Sequence, residues 1–318
     1  MDSNKVISHT CPCPTDGRRA PGRESQVTSI RNKMRIYSEL TLFPFVIFTL
    51  PFALAGAALA QFSINGRLIP SLNNIFWIIL AVVSARNAGM AVNRLLDKDI
   101  DGENPRTKQR ALVKGVIGNK EVIIFIVFSL ALFILSAWML NPLCLYLSPI
   151  PIALILVYSS AKRWTWLNHF LLGAILFWAP AGGWIAVKGS WNLPAVAMGL
   201  AVFFWTSGFD IIYDREDIEF YRTHGLHSIP ELLGEKRSQV IAFGLHIISI
   251  SLLLYLAKIY GFGNIYFLGI LALGVLVIYG HIATRKTEIL RTNKTFFWIN
   301  ALTATGFLFI TLSDLIIR

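Results

Sequence analysis

Predominantly apolar runs of eighteen or more residues recur along this chain, and no other feature restricts its fold so tightly. A helix rises 1.5 Å per residue, so such a run matches the ~30 Å hydrocarbon core of a bilayer. The runs are continuous rather than alternating, which excludes a transmembrane barrel. Nine spans are expected, at about 40–60, 75–96, 122–140, 143–161, 170–187, 193–213, 240–257, 265–281 and 296–317. The chain therefore reads as an all-α polytopic membrane protein. Only 15% of its 318 residues are charged, against roughly a quarter in a soluble domain.

The first 35 or so residues are polar, basic and rich in Ser, Thr, Pro and Gly, with no apolar core. They read as a disordered basic cytoplasmic tail rather than a cleaved signal peptide, which leaves 36–318 as one membrane domain. Asn141-Pro142 marks a very short turn between the third and fourth spans. Pro180 and Gly182-Gly183 in the fifth imply a kink or a close helix contact. Cys11, Cys13 and Cys144 lack metal-ligand spacing and receive no role.

The net charge is +11, but the basic residues sit in loops between apolar runs. That placement argues against nucleic acid as a partner and for the lipid bilayer and topology control. With the N-terminus inside, only Arg67, Lys188, Lys258 and Arg318 of the 29 basic residues fall outside, and Arg86 lies within the second span. The positive-inside rule then places the Asp97–Lys120 and Asp210–Gln239 loops in the cytoplasm.

Those two loops hold most of the acidic residues. Asn93, Asp97 and Asp101 fall four apart, so a continuing helix stacks them on one face. Asp210, Asp214 and Asp217 recur at i, i+4 and i+7 after the sixth span. A solvated helix end is the bland reading. Helix C-termini disfavour carboxylates, however, and two such clusters call for a cation. Mg²⁺ fits, because it takes one or two carboxylates and completes its shell with water and substrate phosphates. Arg86, seven residues before Asn93, shares that face, and an Arg inside a span faces either a functional cavity or a structural ion pair.

Asn93-x-x-x-Asp97-x-x-x-Asp101, with a second acidic motif after the sixth of nine spans, resembles the UbiA superfamily of intramembrane prenyltransferases. Further matches are Arg86, Arg106-Thr107-x-x-Arg110-Ala111-Leu112 and Tyr158-x-x-x-Lys162-Arg163-x-Thr165. Gly173, Trp205-Thr206-x-x-Phe209-Asp210 and Gly225-x-x-Ser228-Ile229 also match. The resemblance covers the chain from about Arg35 onward and is nearest the bacterial 4-hydroxybenzoate polyprenyltransferase branch. Asp210-Ile211-Ile212-Tyr213 and His227-Ser228-Ile229-Pro230 are most similar to members of the futalosine route to menaquinone. One departure stands out: Tyr221 occupies a position where the family's second motif usually carries Asp.

The resemblance implies nine helices around a central cavity in a bacterial inner membrane. It implies transfer of a polyprenyl group from polyprenyl diphosphate to an aromatic acid acceptor in ubiquinone or menaquinone biosynthesis. The resemblance leaves the acceptor open between 4-hydroxybenzoate, a dihydroxynaphthoate as the futalosine wording suggests, and a haem or homogentisate-type acceptor. Asp97, Asp101, Asp210 and Asp217 would be catalytic, with Asn93 and Asp214 completing the Mg²⁺ ligands. Arg86, Asn93, Lys162, Arg163, Tyr213, Arg110 and Lys108 would bind substrate.

Other polar residues take bland readings. His246, His281 and Asn300 should bond neighbouring helices, Asp314 should lie at the interface, and Asp99 and Glu103 fall off the metal face. A cation-coupled transporter is the competing class, but transporter sites lie at the midplane on broken helices. A CDP-alcohol phosphotransferase would need an Asp-Gly-x-x-Ala-Arg opening, which is absent.

Overall fold

The computed structural model describes residues 46–283 and 289–318, and within them nine helices are long and apolar enough to cross a membrane. The expected tail, 1–35, lies outside the described residues. Lipid offers the backbone no hydrogen bonds, so each span must satisfy its own. The spans are α1 (Val46–Asn65), α2 (Leu72–Leu96) and α4 (Asn119–Leu140), then α5 with α6 (Pro142–Leu147, Pro149–Ala161). They continue with α7 (Asn168–Lys188), α8 (Leu193–Tyr213), α11 (Glu235–Tyr260), α12 (Asn264–Ala283) and α13 (Ile289–Ile317). Short helices α3 (Lys98–Glu103), α9 (Ile218–Thr223) and α10 (Ile229–Leu233) fill the two acidic loops.

Two spans differ from the expectation. The fourth is broken at Ser148, because Pro149 supplies no N–H and ends the turn before it. The sixth continues past Tyr213 as a tight 3₁₀ turn, Asp214–Asp217, that leads into α9. The Asn141 turn is as short as expected. Its side chain accepts the Cys144 N–H at 2.9 Å and donates to the Ile185 carbonyl of α7 at 2.8 Å.

Helices α1, α7, α8 and α11 form the centre, with Phe52, Trp184, Met198, Leu256 and Phe307 in the core. The outer helices α4 and α12 present Ile124, Phe128, Leu268 and Val275 outward, as lipid contact requires. Small residues let the central backbones approach. A Cβ on Gly56 would overlap the Pro180 carbonyl, and one on Gly183 would overlap the Ala53 carbonyl. The Pro180–Gly183 segment is therefore a close helix contact between α1 and α7.

The lone polar residues of the spans are paired. His246 Nδ1 and His281 Nε2 lie 2.8 Å apart, and Trp205 Nε1 donates to Asn300 Oδ1 at 2.5 Å. Asp314 stands near the end of the last span but is enclosed by protein. It is buried, and its carboxylate accepts the Gly263 and Tyr266 N–H groups at 3.0 Å each, closing the start of α12.

Candidate functional site

The first acidic column survives the end of its helix. Asp97 N–H bonds the Asn93 carbonyl at 2.9 Å and Asp101 N–H bonds the Asp97 carbonyl at 2.7 Å, so the turn spacing continues from α2 into α3. Asn93 Nδ2 donates to Asp97 Oδ2 at 3.0 Å. Both aspartates are buried, Asp97 at 1% exposure. Burial pushes the Asp97 carboxyl above the ordinary aspartate range, against the opposing pull of Lys162 and Arg163.

Each carboxylate is met by a cation. Lys162 Nζ lies 2.6 Å from Asp97 Oδ2, and Arg163 Nη2 lies 3.3 Å from Asp97 Oδ1. Arg163 also donates to the Leu96 carbonyl at 2.5 Å, at the negative end of the α2 dipole. Arg110 pairs with Asp101. Across the gap, Asp217 receives Arg106 Nη2 at 2.5 Å and Asn104 Nδ2 at 3.0 Å. These last contacts join the two loops, so both columns lie at the same end of the bundle.

Asn93, Asp97, Asp101, Asp210, Asp214 and Asp217 all line one cavity of about 150 Å³. Lys162 and Arg110 line it too, with Arg106, Asn104, Asn168, Tyr158 and Tyr221. Tyr221 therefore does stand on the wall where the family pattern has a carboxylate. Not every expected residue is there. Lys108 is exposed and off the lining, because the loop turns it outward. Tyr213 packs on Phe209, ring centroids 5.0 Å apart, away from the lining. Arg163 sits at the rim, on a neighbouring groove with Asp99, Glu103 and His224. Arg86 is about 10 Å deeper along α2, within electrostatic reach of Tyr158 and Asp210.

Sequence reasoning missed His169, which contacts Asp210 at 2.9 Å. Its only signal was a histidine at the site end of the fifth span. Asn104 and Asn168 carried no signal of their own. Arg106 and Tyr158 lay inside matched motifs without an assigned role.

The donor chemistry suits a hard divalent cation: five carboxylates and three Asn side chains line the one cavity. Among the described residues, no three of His, Cys, Asp or Glu come close enough to hold one ion.

Comparison with known proteins gives a family and a fold. The UbiA prenyltransferase family matches residues 49–302. The 4-hydroxybenzoate octaprenyltransferase of Vibrio atlanticus (strain LGP32) is 30% identical over 253 residues, 79% of this chain and 87% of that protein. That of Vibrio campbellii (strain ATCC BAA-1116) is 32% identical over 223 residues, 69% and 77% of the two chains. An apo UbiA homolog from Aeropyrum pernix K1 superposes with TM-score 0.73 at 33% identity, covering 86% of this chain and 97% of that one. A UbiA homolog from Archaeoglobus fulgidus bound to GPP and Mg²⁺ shares the fold, with TM-score 0.65 at 21% identity over 87% and 99%.

Proposed function

The chain belongs to the UbiA prenyltransferase family, and from that premise we propose that it transfers a polyprenyl group from polyprenyl diphosphate to the ring of 4-hydroxybenzoate in quinone biosynthesis. One observation supports this above the rest: two aspartate columns and their basic partners meet in one polar cavity at the end of an apolar bundle. A prenyl tail dissolves among helices, whereas its diphosphate head needs such a cavity. The names of the Vibrio relatives support the acceptor class.

Asn93, Asp97 and Asp101 on one side, and Asp210, Asp214 and Asp217 on the other, would supply the one or two carboxylates that each Mg²⁺ takes. When bound, the metal offsets the diphosphate charge and stabilises the leaving group; the GPP- and Mg²⁺-bound homolog supports its use. Lys162, Arg106 and Arg110 supply charge-assisted hydrogen bonds to the remaining phosphate oxygens. The allylic C–O bond breaks with its electron pair leaving on diphosphate. The ring carbon ortho to the acceptor hydroxyl then forms the new C–C bond, and its proton passes to diphosphate or a cavity carboxylate. Arg86 would bind either the acceptor carboxylate or the diphosphate.

Water must be kept from the allylic cation. The roof is built from loop contacts: Asn104 with Asp217, the His227 N–H on the Lys162 carbonyl at 2.7 Å, and His224 on Glu103 at 2.9 Å. We read residues 36–318 as one catalytic domain in a bacterial inner membrane. The distribution of Lys and Arg supports a cytoplasmic N-terminus and cytoplasmic loops.

The test is incubation of reconstituted protein with polyprenyl diphosphate, Mg²⁺ and either 4-hydroxybenzoate or a dihydroxynaphthoate, with products weighed by mass spectrometry. Prenylated 4-hydroxybenzoate is expected, abolished by EDTA and restored by Mg²⁺. Product from the naphthoate alone would move the enzyme to the futalosine route. Full turnover in EDTA would refute the metal.

A further inference from the structure

The second aspartate column has an anchor that the reaction just described leaves unused. His169, the second residue of α7, is 0% exposed and contributes nothing to the cavity lining. Its Nδ1 stands 2.9 Å from Asp210 Oδ2. Its Nε2 accepts the backbone N–H of Ile229 at 3.3 Å and faces Asp214 Oδ2 at 3.8 Å. A ring nitrogen that accepts an amide N–H carries no proton of its own. The ring is therefore protonated at Nδ1 and donates to Asp210, and the Ile229 amide sets that tautomer.

Ile229 opens α10, so its N–H is one of the donors a helix start leaves without an internal partner. The imidazole thus links three elements: α7 that carries it, α8 that carries Asp210, and the second loop through α10. One Asp210 oxygen is committed to this bond while the residue lines the cavity. With no face on the cavity and Nε2 already occupied, His169 is not placed to take the proton from the acceptor ring.

We infer that His169 is a positioning residue for prenyl transfer, a buried imidazole locked in one tautomer by the Ile229 amide that fixes Asp210 at the diphosphate cavity. The inference rests on reading Asp210 as a ligand of the Mg²⁺–diphosphate pair. Groups that hold a metal's carboxylate ligands matter to affinity nearly as much as the ligands do.

Two substitutions separate the two bonds. The amide N–H of Asn can stand where Nδ1 stands, and the amide oxygen of Gln where Nε2 stands. In the full-length protein the readout is the Mg²⁺ concentration at which geranyl diphosphate raises Tm. His169→Asn should keep that requirement within about threefold of wild type, and His169→Gln should raise it about 10- to 100-fold. Unliganded Tm should show the opposite order, since only Asn leaves the Ile229 amide unpaired. KM for 4-hydroxybenzoate should be unchanged in both. A wild-type Mg²⁺ requirement in His169→Gln, or an equal rise in both variants, overturns the positioning role. Asp210→Asn separates the two levels of the argument. If it abolishes the geranyl diphosphate response while His169→Gln does not, this inference alone falls. If Asp210→Asn is also silent, the reading of Asp210 falls with it.

Discussion

Asp97 is the most buried carboxylate of the cavity. It is buried, receives Lys162, Arg163 and Asn93, and sits at the negative end of α2. Asp97→Asn keeps the shape and removes the charge, which leaves a weak neutral ligand where the diphosphate's counterion is proposed to bind. Prenyl transfer should fall about 100-fold or more, the scale at which a preorganised electrostatic contact is lost. Asp99→Asn, two residues on but exposed on the neighbouring groove, should leave the rate near wild type at equal expression. Similar rates for the two variants would return the column to a solvated helix end. The column was legible in the sequence because four-residue spacing is a local property of a helix. The cations that meet it were only partly so. Lys162 and Arg110 came through the family resemblance, whereas Arg106 on Asp217 joins residues far apart in the chain. No periodicity reports such a contact, and the same blindness hid His169.

At the scale of elements, the α1–α7 interlock decides whether the bundle closes beneath the site. The sequence marked Pro180 and Gly182-Gly183 as a place of close approach but not which glycine makes it. Adjacent residues on a helix point about 100° apart, and only the partner helix distinguishes them. Gly183 lies against the Ala53 carbonyl, whereas a Cβ on Gly182 meets nothing within 4 Å. Gly183→Ala should therefore push backbone from backbone and cost about 1–3 kcal/mol, the usual penalty for overpacking. Gly182→Ala should be neutral. Thermal melts in detergent separate them, and identical melts would show that the backbones can part without cost. Span positions were readable for the same reason the interlock was not, since a bilayer imposes length on each helix separately. The break at Ser148 and the capping role of Asp314 depend on proline geometry and on a neighbouring helix start, which hydropathy does not record.

For the whole molecule, the site exists only if the loops after the second and sixth spans reach the same side of the membrane. Three passes lie between them, α4, α5 with α6, and α7, and α8 is the fourth, so an even number of crossings separates the loops. The Asn104–Asp217 and Arg106–Asp217 contacts require the same result independently. The orientation of that face rests on charge: Arg67, at the opposite end, has few basic companions there. Single cysteines can test both statements in a protein whose Cys11, Cys13 and Cys144 are replaced by Ser. Lys108→Cys and Arg222→Cys, both exposed at the site end, should react with an impermeant maleimide only from the cytoplasmic face. Arg67→Cys, also exposed, should react only from the other face. Lys108→Cys and Arg222→Cys reacting from opposite faces would break the shared cavity and with it the mechanism. Both reacting from outside would keep the cavity but reverse the protein, putting its cluster of basic side chains on the side that the positive-inside rule forbids.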